Sequence, residues 1–165
     1  MYKRQGLDLI ADEERAVVIR NRSGIVSTVS SLSGYNVLPG DELTIEVAVV
    51  NKGITQSVQT DLRIYHPDAS IFDLTLPALE TYESHKVNFT WTVPEDASIG
   101  FIPIRWEADP LQVNTADANS DNDLGEIELF IGRLPTAVLE PIEVYTNVET
   151  SVSYTHLTLP TKVTV

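Results

Sequence analysis

Pro39-Gly40-Asp41-Glu42-Leu43-Thr44-Ile45-Glu46-Val47-Ala48-Val49-Val50-Asn51-Lys52-Gly53 is the stretch on which the fold turns. Leu43, Ile45, Val47 and Val49 alternate with Thr44, Glu46 and Ala48, so an extended chain presents one apolar face and one more polar face. Pro39-Gly40-Asp41 opens this strand with turn chemistry, and Asn51-Lys52-Gly53 closes it. A single apolar face must be covered, so the rest of the chain is read for strands able to cover it.

C-terminal to it, the same period recurs. A strand is expected from Val58 to Tyr65, with Leu62 and Ile64 on one face. A turn at His66-Pro67-Asp68-Ala69-Ser70 leads to a short return strand from Ile71 to Leu76. Between Ser84 and Val93, the residues Val87, Phe89, Trp91 and Val93 alternate with Lys86, Asn88, Thr90 and Thr92. Ile102, Ile104 and Trp106 form the next inward row, where Pro103 implies an edge or a bulge. After an acidic loop, Ile127, Leu129 and Ile131 supply the last inward row. N-terminal to the deciding stretch, Ile25, Val26, Val29 and Leu32 lie among serines and threonines, as in an edge strand. Residues 8–11 and 16–20 are two apolar runs split by Asp12-Glu13-Glu14-Arg15, which fits a hairpin belonging to the end of a preceding region, or a short helix. About seven strands from residue 24 onward, with regularly spaced turns, predict an all-β sandwich of immunoglobulin-like type, with Trp91 and Trp106 both buried.

The charge balance narrows the setting. Among 165 residues there are 24 Asp and Glu against 11 Lys and Arg, a net charge of −13. Such a surface repels phosphate backbones and anionic bilayers, which argues against nucleic-acid or membrane-surface partners. There is no cysteine, hence no disulfide or thiolate chemistry. No apolar run approaches a membrane span.

The two ends resemble something other than a gene. Val152-Ser153-Tyr154-Thr155-His156-Leu157-Thr158-Leu159-Pro160-Thr161 is similar to one translated frame of a transposon-tagging sequencing adapter. Met1-Tyr2-Lys3-Arg4-Gln5 is similar to the mosaic end of the same adapter in the opposite orientation. Residues 1–5 and 151–165 are therefore expected to be adapter-derived, flanking a piece of a longer protein recovered from environmental DNA. The alternative is a genuine strand over residues 154–161.

Residues 24–133 resemble the CARDB family of cell-adhesion-related domains. The resemblance is carried by Pro39-Gly40-Asp41, by the strand running to Val50-Asn51-Lys52-Gly53, by Val87, Phe89 and Trp91, by Gly100 with Ile102 and Ile104, and by the Asp- and Asn-rich residues 117–123. It implies an immunoglobulin-like sandwich, usually one of several in a secreted or anchored bacterial or archaeal protein. Residues 134–150, with Leu134-Pro135-Thr136-Ala137-Val138-Leu139 and Val144-Tyr145-Thr146-Asn147, resemble the opening of a PKD domain. The expected order is thus 1–5 adapter, 6–23 end of a preceding region, 24–133 CARDB-like sandwich, 134–150 start of a PKD-like domain, and 151–165 adapter.

No catalytic constellation is legible. His66 and His85 lack partners at ligand spacing, and neither a Gly-x-Ser-x-Gly elbow nor a phosphate loop occurs. The one candidate metal site is Asp117, Asn119, Asp121 and Asp123, alternating oxygen donors suited to calcium, with Glu128 placed as a closing ligand. Asn122 stands where such loops need Gly, so the same residues also fit a solvated Asx-rich turn. Asn21 and Asn88 stand in N-glycosylation sequons. These features lead to the expectation of a non-catalytic extracellular or cell-surface module, a spacer or adhesion unit. Its partners would be neighbouring domains of its own chain, a surface protein or a glycan. An accessory domain of a secreted hydrolase and a carbohydrate-binding sandwich are the alternatives. A sugar binder would need an exposed aromatic platform, drawn from Tyr35, Tyr65, Phe72, Tyr82 and Phe130.

Overall fold

A computed structural model describes residues 6–32 and 34–133. The regions read as adapter and as the opening of a PKD domain, residues 1–5 and 134–165, lie outside the described residues. Ten strands follow in chain order: β1 (Leu9–Ala11), β2 (Val17–Arg22), β3 (Ile25–Val29), β4 (Tyr35–Val37), β5 (Glu42–Asn51), β6 (Thr60–Tyr65), β7 (Ile71–Leu76), β8 (Ser84–Thr92), β9 (Gly100–Ala108) and β10 (Leu124–Ile131). Two 3-10 turns, Glu13–Arg15 and Ser120–Asn122, complete the set.

The strands form two five-stranded sheets. In the first, β5 is central. Strand β8 runs antiparallel along one of its edges from Glu42 to Val50. Strands β1 and β2 share the other edge, and β3 pairs outside β2. The second sheet has the order β4-β10-β9-β6-β7. All its pairs are antiparallel except β4 with β10, which is parallel. Because alternate side chains point to opposite faces, each strand donates every second residue to the interior. Leu43, Ile45, Val47 and Val49 of β5 meet Leu62, Ile64, Ile104, Trp106, Leu129 and Ile131 in one core, and all ten are fully buried. Trp91 is 8% exposed and Trp106 0%, as the alternation of β8 and β9 predicts.

Three departures from the sequence reading are informative. The apolar runs at 8–11 and 16–20 do not form a hairpin with each other, nor do residues 6–23 close a preceding region. Both runs pair antiparallel to β5 in the same direction, as two halves of one interrupted strand. The six steps from Ala11 to Val17 oppose only three steps of β5, from Val49 to Glu46. The surplus is taken up by the Glu13–Arg15 turn, where Ala16 N–H donates to the Glu13 carbonyl at 3.1 Å and Arg15 pairs with Asp12 at 3.0 Å. Leu7, Leu9, Ala11, Ala16 and Val18 are thereby drawn into the core. Second, the strand count rises above seven because β1, β2 and the three-residue β4 join the sheets. Third, Pro103 does not mark an edge strand, since β9 lies between β10 and β6. Its pairing with β6 starts only at Arg105, so Pro103 faces a partner strand on one side alone and its missing N–H breaks no ladder there.

Candidate functional site

A concave polar site belongs to the long connection between β9 and β10. Asp109 begins it with φ at 50° and its carboxylate buried, 3% exposed. Asp109 Oδ1 accepts from the Thr60 hydroxyl at 2.5 Å and from Val113 N–H at 2.8 Å, while Oδ2 accepts from Asn114 N–H at 2.7 Å. One side chain thus folds the first turn of the loop onto the start of β6. Asn114 fastens the next turn, its Oδ1 accepting from Val58 N–H at 2.8 Å. Asp117 then reaches across to the N-terminal strand: Oδ2 accepts from Leu9 N–H at 3.0 Å, and Oδ1 from Asn119 N–H at 3.0 Å. The Ser120–Asn122 turn follows, and Asn122 Nδ2 donates to Asp8 Oδ1 at 3.1 Å. Asp123 ends the loop at 7% exposure.

Between these residues lies a cavity of about 110 Å³ lined by Asp109, Gln112, Asn114, Thr115, Asp117, Ser120 and Asp123. Gln112, Thr115 and Ser120 are exposed at its mouth, and Asp123 and Asp109 are buried at its floor. Asp123 Oδ1 and Asn122 Oδ1 are buried without a hydrogen-bond partner among the described residues. Burial first, and then the neighbouring carboxylates of Asp117, Asp109, Asp8 and Glu107, push the Asp123 carboxyl up to about 8. Ionising it in the folded chain is unfavourable because the charge would be poorly solvated and surrounded by like charge.

A pH dependence follows for chelator-treated protein. The unfolded Asp123 ionises near its ordinary value of 3.8, whereas the folded one holds its proton to about 8. The raised value means that this contribution to stability is complete below about pH 4, is lost as pH rises through 8, and is level beyond. Denaturant unfolding of the wild type and of Asp123→Asn at pH 5, 6.5 and 8 isolates it. The variant is expected to gain on the wild type as pH rises, and a pH-independent difference would contradict the assignment.

The structure separates the four residues singled out in the sequence. Asp117 and Asp123 line the cavity, whereas Asn119 and Asp121 are exposed and do not line it. Glu128 is exposed on β10, paired with Pro103, and does not line the cavity. Asp109, Asn114 and Asp8 were not singled out, and the only local hint was the acidic character of the loop. Among the described residues, no three His, Cys, Asp or Glu side chains form a ready-made metal cluster.

Elsewhere, His66 packs against Phe72 and Phe89 with ring centroids 6.2 and 5.6 Å away. Its Nδ1 lies 2.7 Å from Asp68 Oδ1, which also accepts from the Ser70 hydroxyl at 2.6 Å. The carboxylate stands between ring and hydroxyl, the reverse of the order a nucleophile relay needs. The Ser70 hydroxyl and amide are the main reasons that Asp68 is held down to about 2. Asn88 is exposed on β8. The Asn21 amide is engaged, donating to Glu42 at 2.9 Å and accepting from Gly24 N–H at 3.1 Å.

Comparison with known proteins places this geometry. The CARDB family pattern matches residues 25–124. The chain belongs to the CARDB family. The family consists of non-catalytic immunoglobulin-like modules, and its domains occur in surface or extracellular proteins. The CARDB domain of the PF1109 protein from Pyrococcus furiosus, crystallised in complex with di-metal ions, superposes with a TM-score of 0.55 at 18% identity, over 80% of this chain and 94% of that one. A solution structure of the same archaeal domain gives a TM-score of 0.51 at 16% identity, over 77% of this chain and 96% of that one. At these identities the likeness is one of fold. No curated protein matches the chain closely enough to count as a relative. Among the described residues, no helix is long and apolar enough to cross a membrane.

Proposed function

We propose that this CARDB module is a non-catalytic extracellular spacer and adhesion unit, strung between other domains of a microbial surface protein. The observation that carries the reading is where the chain enters and leaves the sandwich. Leu7 bridges Asp117 and Asp8 is held by Asn122, so the incoming chain lies beside the start of β10. The outgoing chain follows the far end of that strand at Ile131, eight residues on. Eight extended residues span ~26 Å, the length of the sheet. The incoming and outgoing segments therefore lie at opposite poles, the arrangement that extends a string of modules. The acidic surface, with its net charge of −13, keeps neighbouring copies apart and soluble.

The carbohydrate-binding alternative finds less support. The pair of exposed Phe101 and half-buried Phe130 has centroids 5.0 Å apart but ring planes inclined by 53°, so it offers no flat platform for a sugar. Small-angle scattering from the chain and from a genetically joined tandem of residues 6–133 tests the spacer reading. The tandem is expected to lengthen by about one sandwich while its cross-section stays that of a single module. A tandem that doubles its cross-section instead would overturn the proposal.

A further inference from the structure

We infer that the cavity enclosed by the β9–β10 loop is a site for a hard divalent cation of the calcium class, with Asp123 and Asp117 as its charged ligands. The decisive feature is Asp123. The residue is 93% buried, it lines the cavity, and its Oδ1 has no hydrogen-bond donor among the described residues. Buried carboxylate oxygens in folded proteins are almost always paired, because an unpaired one forfeits its hydration without replacement. No Lys, Arg or His lines this cavity. A cation is the partner that such a setting lacks.

The remaining donors suit calcium better than a transition metal. The lining offers oxygen and amide groups and neither thiol nor imidazole. Calcium takes six to eight oxygen ligands, of which only some need be carboxylates. Asp109 Oδ1 is filled by two hydrogen bonds and its Oδ2 takes a third, so this buried carboxylate shapes the floor. Asp117 takes one backbone amide on each oxygen, which positions its carboxylate at the cavity wall and leaves a lone pair on each oxygen for a cation. Gln112, Thr115 and Ser120 stand at the mouth, where water completes a shell. Two carboxylates with neutral oxygens make a weak site, in the range of extracellular calcium modules, about 0.1–1 mM. The expected consequence is mechanical as well as thermodynamic. Asp117 bonds the backbone of β1, so a cation held there ties the incoming chain to the loop that precedes β10. This inference stands apart from the spacer reading, since a module can bind calcium without being a spacer, and the reverse.

The test uses the full chain, stripped with chelator and titrated with calcium chloride by calorimetry and thermal melting. Sodium chloride at matched ionic strength controls for screening of the acidic surface. Saturable heat is expected, with a melting rise of roughly 5–10 °C at 10 mM calcium and little from the sodium control. Asp121→Asn, on the outward side of the loop, should leave the affinity unchanged. Asp123→Asn keeps the shape and removes the ligand charge, and should weaken binding at least about tenfold. Amide signals of Leu9 and residues 117–123 should shift together on saturation. Absence of saturable heat, or an Asp123→Asn variant that binds as wild type, overturns the site. Should Asp123→Asn not fold, the wild-type titration and the location of the shifting amides decide on their own.

Discussion

Asp41→Ala is expected to lower the stability of the chain by about 3 kcal/mol, a large share of what a domain of this size possesses. The carboxylate is 0% exposed although its residue sits in a turn. Its Oδ1 accepts from Arg22 Nε at 2.6 Å, its Oδ2 accepts from Leu38 N–H at 2.8 Å, and Arg20 Nη1 lies 3.9 Å away. Arg22 Nη2 continues to the Pro39 carbonyl at 2.6 Å. The Asp41 carbonyl accepts from Val93 N–H at 2.9 Å, just past the end of β8. One buried anion therefore holds β2, the Pro39-Gly40 turn and the strand that follows it. Truncation leaves a guanidinium with 30% side-chain exposure short of its partner, which places the cost below that of a fully buried pair. Asp41→Asn retains an acceptor for Leu38 N–H and should cost about half as much. A double-mutant cycle with Arg22→Ala, read by denaturant unfolding, should give a coupling of at least about 1 kcal/mol. Zero coupling would mean that Asp41 acts through the turn alone.

Asp41 also shows which parts of the molecule the sequence makes readable. The Pro39-Gly40-Asp41 and Asn51-Lys52-Gly53 triplets read as turn chemistry; the first holds a turn at Pro39 and Gly40, whereas the second is the end of β5 at Asn51 followed by a bend at Gly53. Their deeper role is tertiary. Asn51 is 0% exposed, and its amide bonds Thr55 and Leu79 carbonyls at 2.8 and 3.0 Å. A Cβ on Gly53 would lie 2.4 Å from the Gly6 carbonyl oxygen, so only glycine lets the N-terminal segment dock there. Strands β5, β8, β9 and β10 were legible because each has one face in the core, which writes period two into its residues. Strand β4 is too short to carry a period, and β1 with β2 carries a period broken by the Glu13–Arg15 turn. The polar site was half legible for a different reason. Asp117 and Asp123 stand in a run dense enough to draw the eye, but the partners that pin the loop in place are remote. Asp117 bonds a residue 108 positions away, and Asn122 one 114 positions away. No local spacing encodes such contacts. Alternation in a loop also does not mean one-sidedness, because the Ser120–Asn122 turn interrupts the extended chain on which period two depends.

The core makes the larger demand, and Trp106→Ala should cost about 4–5 kcal/mol. Trp106 is 0% exposed, and its indole N–H donates to the Ala48 carbonyl at 3.1 Å across the two sheets. That carbonyl also accepts from Asp12 N–H at 2.9 Å, so it keeps one partner in the variant and most of the loss is packing. The chain has shaped Gly125 to this ring: a Cβ there would lie 2.7 Å from Trp106 Cε2 and Cζ2 and 2.9 Å from Ala11 Cβ. Real atoms do not approach so closely, hence Gly125→Ala in the wild type should itself cost about 1–3 kcal/mol by overpacking. With the ring removed, its two contacts vanish and the close approach to Ala11 Cβ at 2.9 Å remains, with vacated space beside it into which the methyl can shift. Gly125→Ala is therefore expected to cost clearly less in the Trp106→Ala background than in the wild type, a coupling of opposite sign to that of a favourable contact. Trp106→Phe separates the remaining part, since it keeps much of the ring volume and loses the N–H, for about 1–2 kcal/mol. Denaturant unfolding of the wild type and the four variants measures all of these quantities. If the two substitutions simply add, then Gly125 is glycine for a reason other than the tryptophan, and the joint between β1, β9 and β10 is looser than these distances require.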